Sequence, residues 1–474
     1  MTFEPPAPYD PTDPNGFSYT TVVKRWPVII TGVIDRMHRL SHDLYLELNE
    51  TADQSPEKSL GLKKIEEAKE IIAQISRLKY EMGRDHAMDP IPSDGEPAEM
   101  YNAELERLAA ASANTWFTAP WLFAECYLYR LLRSYFLQTT QWTAFDPFLS
   151  QKEETFQHSG KAISQIALSM HELEAEHEKV ALDAAKQVVL FKEMIQMCLW
   201  GNATDLSLLT HLSSADIDHL QTVGKDAQNA RKEFILRDDQ DAVWKHISSI
   251  QQGRVDFVLD NSGFELFTDL VFADFLVTYT PHVSKVVFHP KLIPWFVSDV
   301  TPPDFSSTIS SLLRPEFLSL EPEEQARLGS LVKRWDRYVQ DGVFSLSVPL
   351  DTPLGGGSAA TEQARFWTEP APYWNMETLA PGLWQTLKGS DLVIFKGDLN
   401  YRKLTGDVKW PPSTEFASAV GPLAGSFPIL SLRTNKADVV VGVPKEVAEK
   451  HDAEGISWRV DGRYALISFL QRRA

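Results

Sequence analysis

The chain has 474 residues, of which 43% are hydrophobic and 23% charged, as is ordinary for a globular protein of two or three domains. Its formal net charge of −19 argues against nucleic acid and anionic membrane surfaces as partners. The two cysteines, Cys126 and Cys198, each lie in an apolar run, which leaves neither a disulfide framework nor a cysteine metal site. Because the first residues lack a secretory pattern and no apolar run is long enough to span a membrane, we expect a cytoplasmic protein, with the nucleus as a further compartment.

The first half of the chain has helical periodicity, and no segment before about Arg254 has the pattern of a strand. The clearest amphipathic helix covers residues 63–80, and further helices are predicted for residues 100–109 and 185–200. We therefore predict an α-helical N-terminal domain over residues 1–240.

Two places in this half contain additional candidate site residues. The aromatic segment 116–130 carries Glu125 and Arg130, and because buried opposite charges usually pair, we expect these two to pair with each other. A ligand-facing role is the less favoured interpretation. A long helix ends at Gly201, and Asn202 after it is expected to cap the next turn rather than to face a site.

After Arg254, short apolar runs alternate with helical segments, which is typical of a largely parallel sheet covered by helices. The runs that we predict to be strands are residues 257–259, 285–288, 392–395, 429–432, 439–443 and 465–469. The predicted fold class is therefore α/β, with a three-layer α/β/α domain over residues 241–474 that follows the helical domain in the chain.

Residues 255–269 are the segment on which the functional prediction depends. An apolar run ends at Asp260 and Asn261, and a helical pattern that includes Glu265 follows. This unit places ligands at the carboxyl edge of an open α/β sheet. The adjacent carboxylate and amide oxygens suit Mg²⁺ or Mn²⁺ better than a soft metal. Turn chemistry alone is the alternative, because Asn, Ser and Gly occur in any tight turn.

Polar residues also follow the second predicted strand, where Asp299 lies. Right-handed crossovers bring the ends of parallel strands to one edge of a sheet. We therefore expect Asp260, Asn261 and Asp299 to hold one divalent cation, which polarises a phosphoryl oxygen and orients a nucleophile.

Cations follow the later strands, against the acidic trend of the whole chain. Lys396, Arg402 and Lys436 suit the oxygens of a phosphate group, and Asp398 and Asn400 suit the hydroxyl groups of a sugar or polyol. The pattern therefore predicts a phosphate ester as the substrate.

Two other mechanisms fit the sequence less well. An aspartyl-phosphate enzyme of the haloacid dehalogenase type needs a second Asp two residues after the first, where this chain has Ser262. The glycine run 355–357 lacks the Gly-x-Gly-x-x-Gly frame of an adenosyl or dinucleotide loop. The sequence is compatible both with direct attack on the phosphate by water and with transient phosphorylation of an aspartate. Water is favoured, because the aspartates are expected to bind the metal.

Four segments resemble the metal-dependent damage-control phosphatase family, in the branch called sugar phosphate phosphatase or acidic residue methyltransferase. These segments are residues 259–265, 296–301, 395–404 and 432–436, and the Lys-Gly-Asp-x-Asn-Tyr-Arg pattern at 396–402 is highly specific. Residues 116–130 and 199–202 are also similar to this branch, so the resemblance spans most of the chain.

The resemblance implies hydrolysis of sugar phosphates such as fructose 1-phosphate and fructose 6-phosphate, with Mn²⁺, Co²⁺, Ni²⁺ or Mg²⁺. By the same match, Asp260, Asn261 and Asp299 are the catalytic and metal-binding residues. The residues expected to contact substrate are Asp260, Asn261, Lys396, Asp398, Leu399, Asn400, Tyr401, Arg402 and Lys436. Glu125, Arg130, Asn202 and Glu265 are additional candidates.

The family name also carries a second activity, carboxyl methylation of protein glutamate with S-adenosylmethionine. The residues favour the phosphatase, because a hard-metal site is explicit and an adenosyl loop is not. A non-enzymatic alternative is a metal-stabilised interaction protein whose helical half binds a partner. The main prediction is a metal-dependent phosphatase for small phosphorylated sugars, active in metabolite damage control, with neither nucleic acid nor membrane as a partner.

Overall fold

The structure is a computed structural model, which describes residues 3–50, 55–175, 177, 183–201, 233–455 and 457–473. Seven strands in these residues form one sheet: β1 Ile235–Asp238, β2 Gly253–Val258, β3 Val283–His289, β4 Phe344–Leu346, β5 Leu392–Lys396, β6 Ile429–Thr434 and β7 Ala465–Leu470. Their order across the sheet is β1, β7, β6, β5, β2, β3, β4. All neighbours are parallel except β6 and β7, so the predicted α/β class with a largely parallel sheet is confirmed.

Helices are the main regular elements in the described part of the first half up to residue 201. They are α1 Phe17–Thr20, α2 Trp26–Asn49, α3 Pro56–Gly83, α4 Glu99–Ala110, α5 Trp121–Leu137, α6 Leu149–Gln157, α7 Gly160–Ala175 and α8 Ala184–Trp200. A π-helical segment, Thr21–Arg25, joins α1 to α2. The three helices predicted from periodicity therefore correspond to α3, α4 and α8.

Further helices connect and flank the strands. They are α9 Gln240–Ile247, α10 Phe264–Tyr279, α11 Pro302–Leu312, α12 Pro315–Leu318, α13 Pro322–Gln340, α14 Met376–Leu379, α15 Pro381–Lys388, α16 Gly397–Thr405, α17 Phe416–Val420, α18 Lys445–Glu454 and α19 Ser457–Val460. Short 3₁₀ segments cover Ala359–Thr368, Tyr373–Asn375 and Gly421–Leu423. Among the described residues, every helix is too short or too polar to span a membrane.

Two predictions about strands were wrong. The first strand, Ile235–Asp238, precedes Arg254, where no strand was expected. Residues 439–443 form no strand, although their valines are buried. The amides of Gly442 and Val443 donate instead to the carbonyls of Thr414 and Pro412, which satisfies this buried backbone without a ladder.

The buried side chains form two clusters. One contains most of the helical half up to α5, and it also takes in Ile293, Trp295 and Leu399 from the second half. The other contains the sheet, and it includes side chains of α7 and α8. The predicted domain boundary at residue 240 stays a prediction, and the packing joins α7 and α8 to the sheet.

Helix α10 begins directly after the turn that follows β2, and it is buried along nearly its whole length. Leu266, Leu270 and Phe275 are fully buried, and each such side chain contributes about 2 kcal/mol when it leaves water. A helix that is buried on nearly all sides is part of the core. The turn before α10 is therefore fixed at both ends, by a central strand and by a buried helix.

Candidate active site

The site lies where β2 and β3, two adjacent parallel strands, end. Asp260 and Asn261 follow β2, and Asp299 lies in the loop after β3. An isolated antiparallel bridge pairs Asn261 with Asp299, and the amide of Val300 donates to the carbonyl of Asp260 at 2.8 Å. The backbone therefore holds the two aspartates side by side, as the sequence predicted for the edge of a parallel sheet.

The loop that presents Asp299 has an unusual backbone. Phe296 and Val297 have φ angles of 46° and 72°, in the left-handed region that residues with a Cβ rarely adopt. Such a conformation persists only where its surroundings impose it. The ring of Phe296 stacks on Tyr129 of α5 at a centroid distance of 4.9 Å. The helical half thus supports the loop that carries Asp299.

A glycine after β5 permits the close approach of the strand ends. Gly397 has a φ of 77°, and a Cβ at this position would lie 1.8 Å from Oδ2 of Asp260. Only glycine fits there. Helices α10 and α16 both begin at this edge, and their N-terminal amides favour a bound anion.

Burial dominates the electrostatics of the two aspartates. It raises the pKa of Asp260 well above its ordinary value, with further contributions from Glu265 and Asp299. Burial also raises the pKa of Asp299 to about 6, which the Lys291 ammonium partly offsets. Within the described residues, Oδ2 of Asp299 accepts no hydrogen bond, and Lys291 Nζ lies 3.3 Å from it. Burial therefore disfavours the anionic forms of both aspartates more than the nearby lysines stabilise them.

These residues fit a hard divalent cation. The candidate donors are two carboxylates and an amide; the described residues contain no group of three His, Cys, Asp or Glu side chains arranged to bind a metal. Asn261 Nδ2 donates to Asp260 at 3.0 Å and to Glu265 at 2.7 Å, and its Oδ1 accepts from Ser298. The amide must therefore turn before its oxygen can serve as a ligand. Oxygen ligands of this kind are the ones that Mg²⁺ and Mn²⁺ prefer.

A cavity of about 690 Å³ opens over the two aspartates. The predicted site residues that line it are Asp260, Asn261, Asp299, Asp398, Leu399, Arg402 and Lys436, together with the additional candidates Glu125 and Glu265. The structure thus brings together all three predicted metal ligands, two of the three predicted phosphate-binding cations, and one predicted hydroxyl-binding residue.

Lys396 is buried behind this cavity rather than in its wall. Its Nζ donates to the carbonyl of Cys198 at 2.9 Å and to Glu265 at 3.0 Å, and it pairs with Asp269 at 2.7 Å. Its ammonium group therefore supports Glu265, which in turn contacts Asn261.

Asn400 and Tyr401 also lie away from the described cavity wall. Asn400 Nδ2 donates to the carbonyls of Leu259 and Lys396, at 3.1 and 2.7 Å, which ties α16 to the end of β2. The Tyr401 hydroxyl accepts the amide of Val441 at 2.9 Å. Both side chains thus hold the neighbouring backbone in place.

The expected pairing of Glu125 with Arg130 was wrong. Arg130 instead makes a bidentate ion pair with Asp94, with both distances 2.8 Å, and lies outside the described cavity wall. Glu125 accepts from Arg402 at 2.6 Å. Both charges are buried and paired, as expected, but with partners far away in the sequence.

Arg402 connects the helical half to the strand ends. Besides Glu125 it contacts Asp407 at 2.9 Å, and its guanidinium lies 3.8 Å from the centroid of the Trp121 ring. A guanidinium held by two carboxylates and a ring has a fixed orientation at the cavity wall.

Asp398 fixes the segment that carries Lys436. Its Oδ1 accepts from Arg433 Nε at 2.8 Å and from the backbone amide of Lys436 at 3.0 Å. Arg433 is fully buried, and the sequence prediction gave it no role. The Arg-Thr-Asn-Lys segment at 433–436 therefore contributes both a buried support and a cavity-lining cation.

Two buried lysines beside the site were missed. Lys152 of α6 pairs with Asp146 at 2.8 Å and with Asp304 at 2.7 Å, and its Nζ lies 3.5 Å from the carbonyl of Asp299. Nothing in its local sequence distinguishes it from a solvated lysine. Lys291 follows the strand end at His289 and precedes an apolar run, which is a signal of a buried lysine. The predicted candidate Asn202 lies outside the described residues.

The largely parallel sheet and the carboxylate-lined cavity at its strand ends define an α/β enzyme. Residues 21–451 match the damage-control phosphatase ARMT1-like domain, so the chain belongs to this family. It is 34% identical to damage-control phosphatase ARMT1 of Danio rerio over 466 residues, which cover 96% of this chain and 94% of that protein. It is also 34% identical to damage-control phosphatase ARMT1 of Mus musculus over 477 residues, covering 98% and 99%.

Membership of this family makes the protein a phosphatase, and dependence on a divalent metal is general for the family. The crystal structure of a DUF89 family protein from Pyrococcus horikoshii is also similar, with a TM-score of 0.37 at 12% identity over 80% of this chain and 93% of that one.

Proposed function

We propose that this phosphatase hydrolyses small phosphorylated sugars, among them fructose 1-phosphate and fructose 6-phosphate, in metabolite damage control. We further propose that Asp260, Asn261 and Asp299 hold its cation, which is Mn²⁺, Co²⁺, Ni²⁺ or Mg²⁺. The observation that carries the proposal is the pair of buried aspartates with raised pKa values at the wall of a cavity that also contains Arg402 and Lys436.

A bound divalent cation supplies charge neutralisation and polarisation of a phosphoryl oxygen. The chain supplies the remaining groups. Arg402 and Lys436 hold phosphate oxygens at the wall, and the N-termini of α10 and α16 favour the same negative charge. Asp398 orients a sugar hydroxyl, because one of its oxygens is already fixed by Arg433.

The test is phosphate release from a panel of sugar phosphates, first with Mn²⁺ and then with EDTA. We expect metal-dependent release from fructose phosphates, lost in Asp260→Ala and retained in a matched control, Asp336→Ala. Asp336 lies on α13, outside the described cavity wall. Release that survives EDTA would contradict the metal site, and release only from phosphates other than sugar phosphates would contradict the substrate class.

The methyltransferase alternative stays a prediction, and no contact in the described residues favours it. The glycine run 355–357 does not line the described cavity. The amide of Gly355 donates to the carbonyl of Leu292 at 2.7 Å, and a Cβ at this position would meet Glu96 of the helical half. If no phosphate is released from any substrate, S-adenosylmethionine binding is the next measurement. The interaction-protein alternative and the cytoplasmic location also stay predictions.

A further inference from the structure

One face of α2, together with the end of the π-helical segment before it, forms the outer wall of the cavity. The residues that line it are Arg25 at the end of that segment and Val28, Ile29, Gly32, Val33, Asp35, Arg36 and Arg39 of α2, whose spacing places most of them on one side of the helix. The inner wall carries the aspartates of the proposed metal site. The same space therefore lies between the strand ends and a helix more than 200 residues earlier in the chain.

This face carries three arginines, although the chain as a whole is strongly acidic. Arg39 is exposed and pairs with Asp35 one turn earlier. Arg25 and Arg36 form no hydrogen bond or ion pair with the described residues, in contrast to Arg402 on the inner wall. Two guanidinium groups at the wall of a cavity are available to a ligand.

An apolar strip lies between these arginines. The side chain of Val28 is 71% exposed, which is unusual for a valine on the wall of a cavity. A Cβ at Gly32 would meet nothing within 4 Å, so the helix surface is open at this point. Such a strip suits the carbon chain of a ligand whose two ends are charged.

The size of the cavity permits a ligand that reaches both walls. Its volume of about 690 Å³ is within the range of roughly 300–1,000 Å³ found for drug-sized ligands, which are larger than a single sugar phosphate. Glu154 is also at the wall, and Lys152 there is already paired with Asp146 and Asp304. Asp35 on this wall already pairs with Arg39, so Arg25 and Arg36 face one further acid, Glu154.

We propose that Arg25 and Arg36 bind a second anionic group of the substrate. The preferred substrates are then phosphate esters that carry a second phosphate or a carboxylate at the end distant from the scissile phosphate. This inference rests on the proposed function, since the inner wall must take the scissile phosphate. Charged hydrogen bonds to arginine supply the recognition, and salt weakens them because these arginines are accessible to solvent.

The test compares matched substrates. Fructose 1,6-bisphosphate and fructose 6-phosphate differ by one phosphate, and 6-phosphogluconate and glucose 6-phosphate compare a carboxylate with a neutral end. We expect the wild-type protein to prefer the doubly anionic member by about tenfold in kcat/KM, mainly through KM. Arg25→Gln combined with Arg36→Gln should remove this ratio. Preference for only the bisphosphate or only the phosphogluconate identifies which anion the subsite takes.

Arg77→Gln is the matched control, because Arg77 is an exposed arginine on α3 that pairs with Glu81 away from the cavity. It should keep the wild-type ratio. A wild-type protein that does not distinguish the two members of either pair would overturn the proposal, as would a double variant that lowers kcat/KM equally for both.

Calorimetric binding to Asp260→Asn protein separates this inference from the proposed function. If wild-type protein releases no phosphate, but fructose 1,6-bisphosphate still binds more tightly than fructose 6-phosphate and loses that advantage in the double arginine variant, the subsite stands and the phosphatase assignment to sugars fails. If fructose phosphates are hydrolysed and bind with equal affinity, the subsite alone fails.

Discussion

Two segments at the strand ends have similar polar sequences and very different structural roles. The turns after β2 and β3 bring Asp260, Asn261 and Asp299 to the wall of a cavity, where burial raises the pKa of both carboxyl groups. The segment after β5 begins with Lys396 and Gly397, and several of its polar side chains form hydrogen bonds or ion pairs with other parts of the protein. The turns after β2 and β3 therefore expose their carboxyl groups to the cavity, and the polar side chains after β5 hold neighbouring parts of the protein in place.

The difference shows how a specific motif can be required without every residue touching a ligand. Lys396 holds Glu265 and Asp269, Asn400 holds the end of β2, and only Asp398, Leu399 and Arg402 of this segment line the described cavity. Substitutions in the first segment should therefore remove activity without loss of stability. Substitutions in the buried part of the second segment should lower stability without a direct effect on substrate binding or catalysis.

The largest effect is expected for Asp299→Asn. We expect kcat for phosphate release to fall at least about a hundredfold, since the change removes one charged oxygen ligand while keeping the shape of the side chain. In EDTA, the melting temperature should not fall, because burial disfavours the Asp299 anion more than its ion pair with Lys291 stabilises it, so that its pKa is raised to about 6. Asp336→Asn is the control. Loss of folding in step with loss of activity would instead make Asp299 structural.

The next largest effect is expected for Lys396→Met, and it concerns stability. Glu265 and Asp269 would lose their shared buried cation, which typically costs about 3–5 kcal/mol in the free energy of unfolding. Urea unfolding measures this directly, with Lys69→Met on the exposed side of α3 as the control. A variant with wild-type stability and no activity would contradict this view and support the direct substrate contact that the resemblance implies.

Much of the central sheet could be predicted from the sequence, because its strands are continuous apolar runs. Residues 257–259, 285–288, 392–395, 429–432 and 465–469 all fall in or directly after observed strands. Strand β4 has only three residues, which is too short for a periodic pattern to show. Residues 439–443 have the composition of a strand, but the backbone amides of Gly442 and Val443 donate hydrogen bonds to the loop carbonyls of Thr414 and Pro412.

The candidate site was predictable to the extent that it depends on strand ends. Asp260, Asn261 and Asp299 follow adjacent parallel strands, so topology alone places them together. The pairing of Arg402 with Glu125 joins residues 277 positions apart, and no local pattern contains that information. The same is true of Lys152, whose partners Asp146 and Asp304 lie on both sides of the boundary predicted at residue 240.

A smaller effect is expected for Tyr401→Phe. The variant leaves the buried amide of Val441 without its acceptor, which typically costs about 1–3 kcal/mol of stability. The ring itself still stacks on Phe416, so the packing should survive. Unfolding in urea and kcat/KM for fructose 6-phosphate, measured on the same preparation, test this. A fall in kcat/KM without loss of stability would support a substrate contact through the hydroxyl.

The smallest effect is expected from pH, in the metal-free protein. Burial raises the pKa of Asp299 to about 6 and that of Glu369 to about 7, whereas both groups titrate near pH 4 in the unfolded chain. Between about pH 4 and pH 7 the native state therefore binds more protons than the unfolded state. Stability must rise as pH falls through this window. In EDTA, we expect the melting temperature to increase by about 1–2 °C from pH 7 to pH 5.

Glu369→Gln tests one contribution to this slope, because Glu369 lies outside the described cavity wall, whereas Asp260 contributes in the same direction as Asp299. Its removal should flatten the dependence near pH 7, and Asp299→Asn should flatten it near pH 6. Acids whose pKa is lowered, such as Asp256 beside His289 and Arg254, act in the opposite direction, but they titrate below this window. A melting temperature that falls from pH 7 to pH 5 would show that the carboxyl groups at the strand ends are stabilised as anions by the protein alone, without need of a cation.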